Sequence, residues 1–91
     1  MPVKKIIQTI KNKNVYLTFD LDVFDPSIMP SVGNPEPGGF QWYEILNLLK
    51  GLCENKKIIG ADVMELSPIP GLFAPDFLAA KLIYKIINLV T

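Results

Sequence analysis

The sequence contains no histidine and no arginine, although its 91 residues include nine lysines, five aspartates and four glutamates. Without histidine, the chain cannot by itself form a Ser-His-Asp or Cys-His catalytic site, or a metal site with imidazole ligands. The formal net charge is zero, so the chain also lacks the basic surplus that nucleic-acid binding requires. We therefore expect no nucleic acid among its partners.

Cysteine is nearly absent as well, because Cys53 is the only one and cannot form an internal disulfide. It lies at the end of a predicted helix, where we expect a buried, reduced thiol. We expect no signal peptide, and no run approaches the roughly 18 apolar residues of a membrane span. These features predict a cytoplasmic protein with no membrane partner.

Hydrophobic periodicity predicts three helices and two short strands in the order α-β-α-β-α. The helices are expected over residues 3–11, 41–54 and 76–90, and the strands over 15–19 and 58–63. A strand, a helical crossover and a second strand form a right-handed βαβ unit with parallel strands. Two short parallel strands leave open edges that this chain cannot close, so we expect residues 1–91 to form one partial domain of an α/β sandwich.

The last predicted helix shows both a cap and a regular apolar pattern. Asp76 is expected to cap its amino terminus. Five residues are expected to share one face of this helix: Phe77, Ala80, Ile83, Tyr84 and Ile87.

Acidic residues follow the first predicted strand, in the segment TFDLDVFDP. In open α/β sheets the carboxyl ends of the strands face the ligand crevice. Residues two apart on a strand point the same way, so Asp20 and Asp22 can present two carboxylates to one point. A divalent cation such as Mg, Ca or Mn would relieve their repulsion. The same spacing is also typical of acids that begin a solvated turn.

Three further acids have different predicted roles. Asp25 precedes a proline and is expected to fix the loop rather than to bind metal. Asp62 lies inside the second predicted strand and is expected to be a supporting acid that needs hydrogen-bond partners. Glu65 ends that strand. Because the carboxyl ends of parallel strands coincide, we expect it on the same rim as Asp20.

Residues 23–40 form a long predicted loop with four of the eight prolines and three of the six glycines. Long loops in compact domains are usually functional, and this composition predicts a rigid wall. It is not a phosphate-binding loop, because neither GxGxxG nor Gly-Lys-Ser/Thr occurs. The aromatic residues Phe40, Trp42 and Tyr43 are expected to pack onto the sheet.

Three segments together resemble the carboxyl-terminal part of the ureohydrolase family, which includes the arginases and agmatinases: VYLTFDLDVFDPSIMPSVGNPEPGGFQWYEIL (15–46), IIGADVMELSPIPG (58–71) and DFLAAKLIYKII (76–87). The stretch from Asp-x-Asp-x-x-Asp-Pro to Pro-x-Pro-Gly-Gly is the most specific part, and the agmatinase branch is the most similar. The resemblance implies the carboxyl-terminal portion of a three-layer α/β/α parallel-sheet fold.

The same resemblance implies a role for three acids. Asp20 matches an aspartate that bridges two manganese ions, Asp22 matches an aspartate that binds one of them, and Glu65 matches an acid that contacts the guanidinium group of the substrate. In such a site the ions activate water for attack on the guanidinium carbon. The implied reaction is hydrolysis of a guanidino substrate to urea and an amine, which is putrescine if the substrate is agmatine.

The sequence also departs from the family pattern. Ser31 stands where many relatives carry glycine and Asn34 where threonine is common, so the loop wall is expected to differ. The family's other ligands come from Gly-Gly-x-His and Asp-x-His-x-x-Asp segments, neither of which occurs here. We therefore expect a truncated or split chain with no complete catalytic set, which binds manganese weakly and is inactive alone.

Two alternatives remain open from the sequence. One is a non-catalytic subunit that uses its unpaired sheet edges to form a homo-oligomer or to dock on a ureohydrolase or its amino-terminal portion. The other is a haloacid-dehalogenase phosphatase, because TFDLDV also resembles the opening of that family. Against it, Val23 and Phe24 replace the usual Gly-Thr.

Overall fold

The computed structural model describes all 91 residues, Met1–Thr91, and confirms the predicted element order. The elements are α1 (Val3–Thr9), β1 (Asn14–Asp20), α2 (Trp42–Asn55), β2 (Lys57–Met64) and α3 (Ala74–Val90). A single 3-10 turn, Leu21–Val23, follows β1 directly. The two longest connections are the first loop, residues 24–41, and the second loop, residues 65–73.

The two strands form a parallel sheet, as predicted. Asn14 lies opposite Lys57 at one end, and Asp20 lies opposite Met64 at the other. Because both strands run in the same direction, their carboxyl ends meet at one edge of the sheet. The two loops therefore begin side by side at this edge.

The hydrophobic core lies on one face of the sheet, beneath α2 and α3. Phe19 is the buried residue of β1, and the 3-10 turn and first loop fold back over the core. The core cluster joins residues from the sheet, the first loop and both helices: Phe19, Leu21, Phe24, Met29, Val32, Ile45, Leu49, Ala79, Leu82 and Ile86. The first loop is thus part of the core and not a detached connection.

Aromatic packing holds the start of α2 on this core. The Trp42 ring stacks on Phe24, with 6.2 Å between ring centroids, and Lys81 of α3 places its Nζ 5.7 Å from the Trp42 centroid. Trp42 therefore packs against the core, as predicted, although its stacking partner is in the first loop and not in the sheet. Tyr43 is 73% exposed and Phe40 is 38% exposed, so that prediction was wrong for Tyr43 and only partly right for Phe40. Neighbouring helix residues point about 100° apart, so Trp42 and Tyr43 cannot both face the core.

Helix α3 is capped and oriented differently from the prediction. Phe73 is the N-cap residue and Asp76 lies in the first turn, so the predicted Asp76 cap was wrong. The buried face consists of Pro75, Ala79, Leu82 and Ile86. The predicted apolar face is largely solvent-exposed, with Phe77 at 74% and Tyr84 at 62%. Both faces of α3 are apolar, so periodicity alone could not tell which one packs inward.

The chain leaves much surface uncovered. Its accessible surface is 6021 Å² for a mass of 10.2 kDa. A compact monomer of that mass exposes about 5,300 Å². Each strand keeps one unpaired edge, and Tyr16 on the sheet face opposite the core is 57% exposed. None of the helices combines the length and apolarity needed to cross a membrane.

Candidate functional site

The carboxyl edge of the sheet brings together residues that lie far apart in the sequence. Asp20 is the last residue of β1 and is exposed. Its partner in the strand register, Met64, is the last residue of β2 and directly precedes Glu65. The structure therefore places Asp20 and Glu65 on the same rim, as predicted from parallel strand ends.

Asp22 reaches this edge by a different route from the one predicted. The strand ends at Asp20, and Asp22 lies half-buried in the 3-10 turn. The alternation of side chains along a strand therefore does not apply to this pair, and that part of the sequence argument was wrong. Their joint role as metal ligands stays a prediction.

Glu65 is held in an unusual backbone conformation. Its φ is +77°, which makes it the only non-glycine residue of the chain in the left-handed region. The residue before Glu65, Met64, is held by strand β2. After Glu65, Leu66 forms an antiparallel bridge with Val32, and the Ser67 amide donates to the Ser31 carbonyl at 2.8 Å. Such a conformation costs about 1–3 kcal/mol and is typical of functional sites.

The bridge between Val32 and Leu66 also brings Gly33 of the first loop close to the Glu65 carboxylate. A Cβ atom added at Gly33 would lie 3.6 Å from Oε2 of Glu65. Sequence reasoning identified Glu65 and this loop separately but did not predict their contact. The left-handed conformation that helps to produce it is rare for glutamate, so no residue pattern signalled it.

Ser31 does not line the exposed wall of the first loop. It is fully buried, and no protein group forms a hydrogen bond with its Oγ. Asn34, by contrast, is exposed. Of the two departures from the family pattern, only Asn34 therefore lies where it could change the wall.

Asp25 fixes the first loop, as predicted. Its carboxylate accepts hydrogen bonds from the backbone amides of Ser27 at 3.0 Å, Gly38 at 3.1 Å and Gly39 at 3.2 Å. Hydrogen bonding from the Ser27 side chain, and then from these backbone amides, lowers the pKa of the Asp25 carboxyl, and partial desolvation opposes this shift. One carboxylate thus joins the start of the loop to its end.

This lowered pKa predicts an acid-sensitive loop. A carboxyl whose pKa is lower in the folded state stabilises the fold above its unfolded-state pKa, and that contribution is lost as the pH falls through the folded-state value. We expect Tm to fall in acid below about pH 4, near the ordinary aspartate pKa. Circular dichroism melts across pH should show that Asp25→Asn lacks this part of the pH dependence. The exposed Glu36→Gln should keep it, and identical profiles for the wild type and Asp25→Asn would contradict the role of Asp25.

Asp62 has hydrogen-bond partners, as predicted for a carboxylate inside a strand. It accepts from the Tyr16 hydroxyl at 3.0 Å and from the Thr18 hydroxyl, both on β1. The hydrogen bond to Asp62 and its negative charge raise the pKa of Tyr16. Asp62 therefore ties β2 to β1 on the sheet face opposite the core.

Cys53 is less buried than predicted. It is half-buried near the end of α2 and is unpaired. Partial burial raises the pKa of its thiol, so the neutral form predominates near pH 7. This state fits a packing residue and not a nucleophile.

The candidate metal ligands of this chain are carboxylates. Asp20 and Asp22 offer carboxylate oxygens, which suit a hard divalent cation such as manganese. Nowhere in the chain do three or more His, Cys, Asp or Glu side chains come together as a metal-binding group. The donor chemistry of the two aspartates therefore suits manganese, but two carboxylates would supply only part of a coordination shell.

Comparison with known proteins agrees with this geometry. Residues 1–88 match the family model described as the arginase family. The chain belongs to the arginase family. An N(1)-aminopropylagmatine ureohydrolase of Synechocystis sp. is 47% identical over 86 residues, which cover 94% of this chain and 28% of that protein.

Solved structures show the same relationship for the fold of this arginase-family chain. The agmatine ureohydrolase of Thermoplasma volcanium superimposes with a TM-score of 0.82 at 32% identity, covering 97% of this chain and 30% of that one. Proclavaminate amidino hydrolase from Streptomyces clavuligerus gives a TM-score of 0.84 at 32% identity, covering 97% and 29%. The predicted α/β, arginase-like fold class is confirmed, and the chain spans about three tenths of the length of these relatives.

Membership of the arginase family decides between the two enzyme classes predicted from the sequence, a ureohydrolase and a haloacid-dehalogenase phosphatase. The match covers nearly the whole chain, whereas the similarity of TFDLDV to haloacid-dehalogenase phosphatases is confined to one short segment. The phosphatase alternative is therefore set aside. The relatives' names describe hydrolases, and the ureohydrolase family predicted from the sequence is confirmed.

Proposed function

We propose that this chain carries the carboxylate half of a ureohydrolase active site that acts on agmatine or a similar guanidino amine. The observation that carries the proposal is the parallel register that sets Asp20 opposite Met64, and so beside Glu65. Family membership supports the reaction class, and the names of the relatives support a guanidino amine. The products would be urea and an amine, which would place the reaction in polyamine synthesis.

Asp20 and Asp22 would hold manganese at the carboxyl edge of the sheet. When bound, a pair of manganese ions supplies Lewis-acid activation of water near neutral pH. The contribution of this chain would be to fix two negatively charged ligands at the end of a buried strand. Because Asp20 ends β1 and Asp22 lies in the turn that follows, the core that holds Phe19 and Leu21 would also position both carboxylates.

Glu65 would bind and orient the substrate. A carboxylate can accept two parallel N–H bonds from a guanidinium group, which fixes both the position and the plane of that group. The restrained backbone of Glu65 would reduce the entropy lost on binding. The chain has no imidazole, so proton transfer through histidine would have to come from residues outside these 91.

The uncovered surface supports an association that completes the site. Both strands keep open edges and the sheet face that carries Asp20 is exposed. We propose that an amino-terminal arginase-family segment covers these surfaces, whereas self-association is the competing outcome. The single unpaired Cys53 supports a reducing, cytoplasmic setting.

The metal-binding half of this proposal can be tested on the 91-residue chain by paramagnetic broadening of amide NMR signals with Mn²⁺. We expect selective broadening at Leu21 and Val23, which flank Asp22, and about tenfold weaker binding in Asp20→Asn. Glu36→Gln, which removes an exposed carboxylate from the first loop, should leave the broadening unchanged. Broadening that is insensitive to Asp20→Asn would contradict the assignment.

The catalytic half is tested with agmatine, Mn²⁺ and a urea assay. The chain alone should release no urea. Mixed with the amino-terminal part of the Synechocystis relative that this chain does not match, it should form a complex and release urea. Glu65→Gln should abolish that activity without dissociating the complex. Turnover by the isolated chain would show that these 91 residues do not need a partner segment.

A further inference from the structure

The six glycines of the chain differ in why glycine is needed. Two have backbone angles in the left-handed region: Gly38 (φ +88°) and Gly71 (φ +82°). Three more lie so close to other atoms that a Cβ would come within 2.5 to 2.8 Å of them: Gly39, Gly51 and Gly60. Backbone geometry or packing therefore accounts for five of the six.

Gly33 is the exception. Its φ lies outside the left-handed region, so its backbone conformation does not demand glycine. A Cβ there would have a single neighbour within 4 Å, Oε2 of Glu65 at 3.6 Å, which is an ordinary contact. The fold would accept alanine at this position, so the missing side chain calls for another explanation.

The position of Gly33 relative to Glu65 is fixed by the backbone. Val32, the preceding residue, is buried and bridges to Leu66, the residue that follows Glu65. The bridge is isolated, so no regular strand pairing extends beyond it, but it brings the adjacent residues Gly33 and Glu65 close together. Glu65 has a left-handed φ, and its carboxylate lies next to the space that a Gly33 side chain would fill.

We propose that Gly33 is a specificity-determining position, which keeps the space beside the Glu65 carboxylate open for a flat guanidinium group. A guanidinium group is planar and can lie against a bare glycine backbone while donating two parallel bonds to a carboxylate. A side chain at Gly33 would occupy that space and shield Oε2. The inference rests on the proposed function, in which the Glu65 carboxylate binds the guanidinium group.

The test is an NMR titration of the 91-residue chain with methylguanidinium chloride, which is the reactive head group without a tail. Side-chain ¹³C signals of Glu65 and the amide signal of Gly33 report binding. We expect a saturable shift at both residues in the wild type, and none in Glu65→Gln. Binding should weaken about tenfold or more in Gly33→Val, and less in Gly33→Ala, because the excluded volume grows with the side chain.

Controls separate a blocked site from a disturbed fold. The amide spectrum and Tm of Gly33→Ala should match those of the wild type, because its methyl group meets no steric conflict. Glu36→Gln should bind like the wild type. Loss of binding in Glu65→Gln combined with unchanged binding in Gly33→Val would overturn the role of Gly33 and leave the proposed function standing. A wild-type chain in which Glu65 does not respond would overturn both.

Discussion

Replacing Gly39 with alanine is expected to lower the Tm of the chain by roughly 15 °C, because it forces apart the two ends of the first loop. The added Cβ would lie 2.5 Å from the Asp25 nitrogen and 2.6 Å from the Phe24 carbonyl carbon. Both neighbours are backbone atoms, so no side-chain rotation relieves the conflict. The Asp25 amide donates to the Phe40 carbonyl at 2.9 Å and would have to move away from it.

Gly33→Ala is the matched control for this experiment. It adds the same methyl group to the same loop, but its nearest contact is 3.6 Å and it should melt within a few degrees of the wild type. Thermal melts by circular dichroism measure both variants. If Gly39→Ala melted like Gly33→Ala, the close approach of Gly39 to the Asp25 backbone would not be a feature of the folded loop.

The sequence allowed the sheet and its functional edge to be predicted for simple reasons. The segments 15–19 and 58–63 are short, apolar and bounded by polar residues, so their strands were recognisable without tertiary information. Two strands that flank a helical crossover are expected to be parallel. Their carboxyl ends then lie at the same edge of the sheet, which places Asp20 and Glu65 at that edge. Asp25 was also predictable, because an aspartate before a proline favours local turn bonds.

Other features depended on contacts between distant residues. The left-handed φ of Glu65 goes with the bridge between Val32 and Leu66, which no local pattern encodes. The inward face of α3 was ambiguous because Leu82 and Ile86 compete with Ile83 and Ile87, and only packing against the sheet decides between them. Asp22 lies outside β1 because the chain enters a 3-10 turn immediately after Asp20.

Replacing Phe24 with alanine is expected to destabilise the chain by about 3–5 kcal/mol, which is the usual cost of removing a buried aromatic ring. Phe24 is 1% exposed, and its ring lies 5.6 Å from the Phe19 centroid and 6.2 Å from the Trp42 centroid. It therefore joins the end of β1, the first loop and the start of α2. A domain of this length has about 5–14 kcal/mol of stability. Only 14 of its residues are buried, so we expect the lower end of that range and substantial unfolding of the variant.

Phe77→Ala is the control, because it removes the same ring from a residue that is 74% exposed. It should change the free energy of unfolding by less than about 0.5 kcal/mol, as for other surface substitutions. Urea unfolding followed by tryptophan fluorescence suits both variants, since Trp42 stacks directly on Phe24. The two substitutions also separate the core from the exposed face of α3. A large loss in Phe77→Ala would mean that this face is buried in solution, by a partner segment or by a second copy. A small loss in Phe24→Ala would mean that the first loop does not pack on the core, and that its position relative to Glu65 is not fixed by packing.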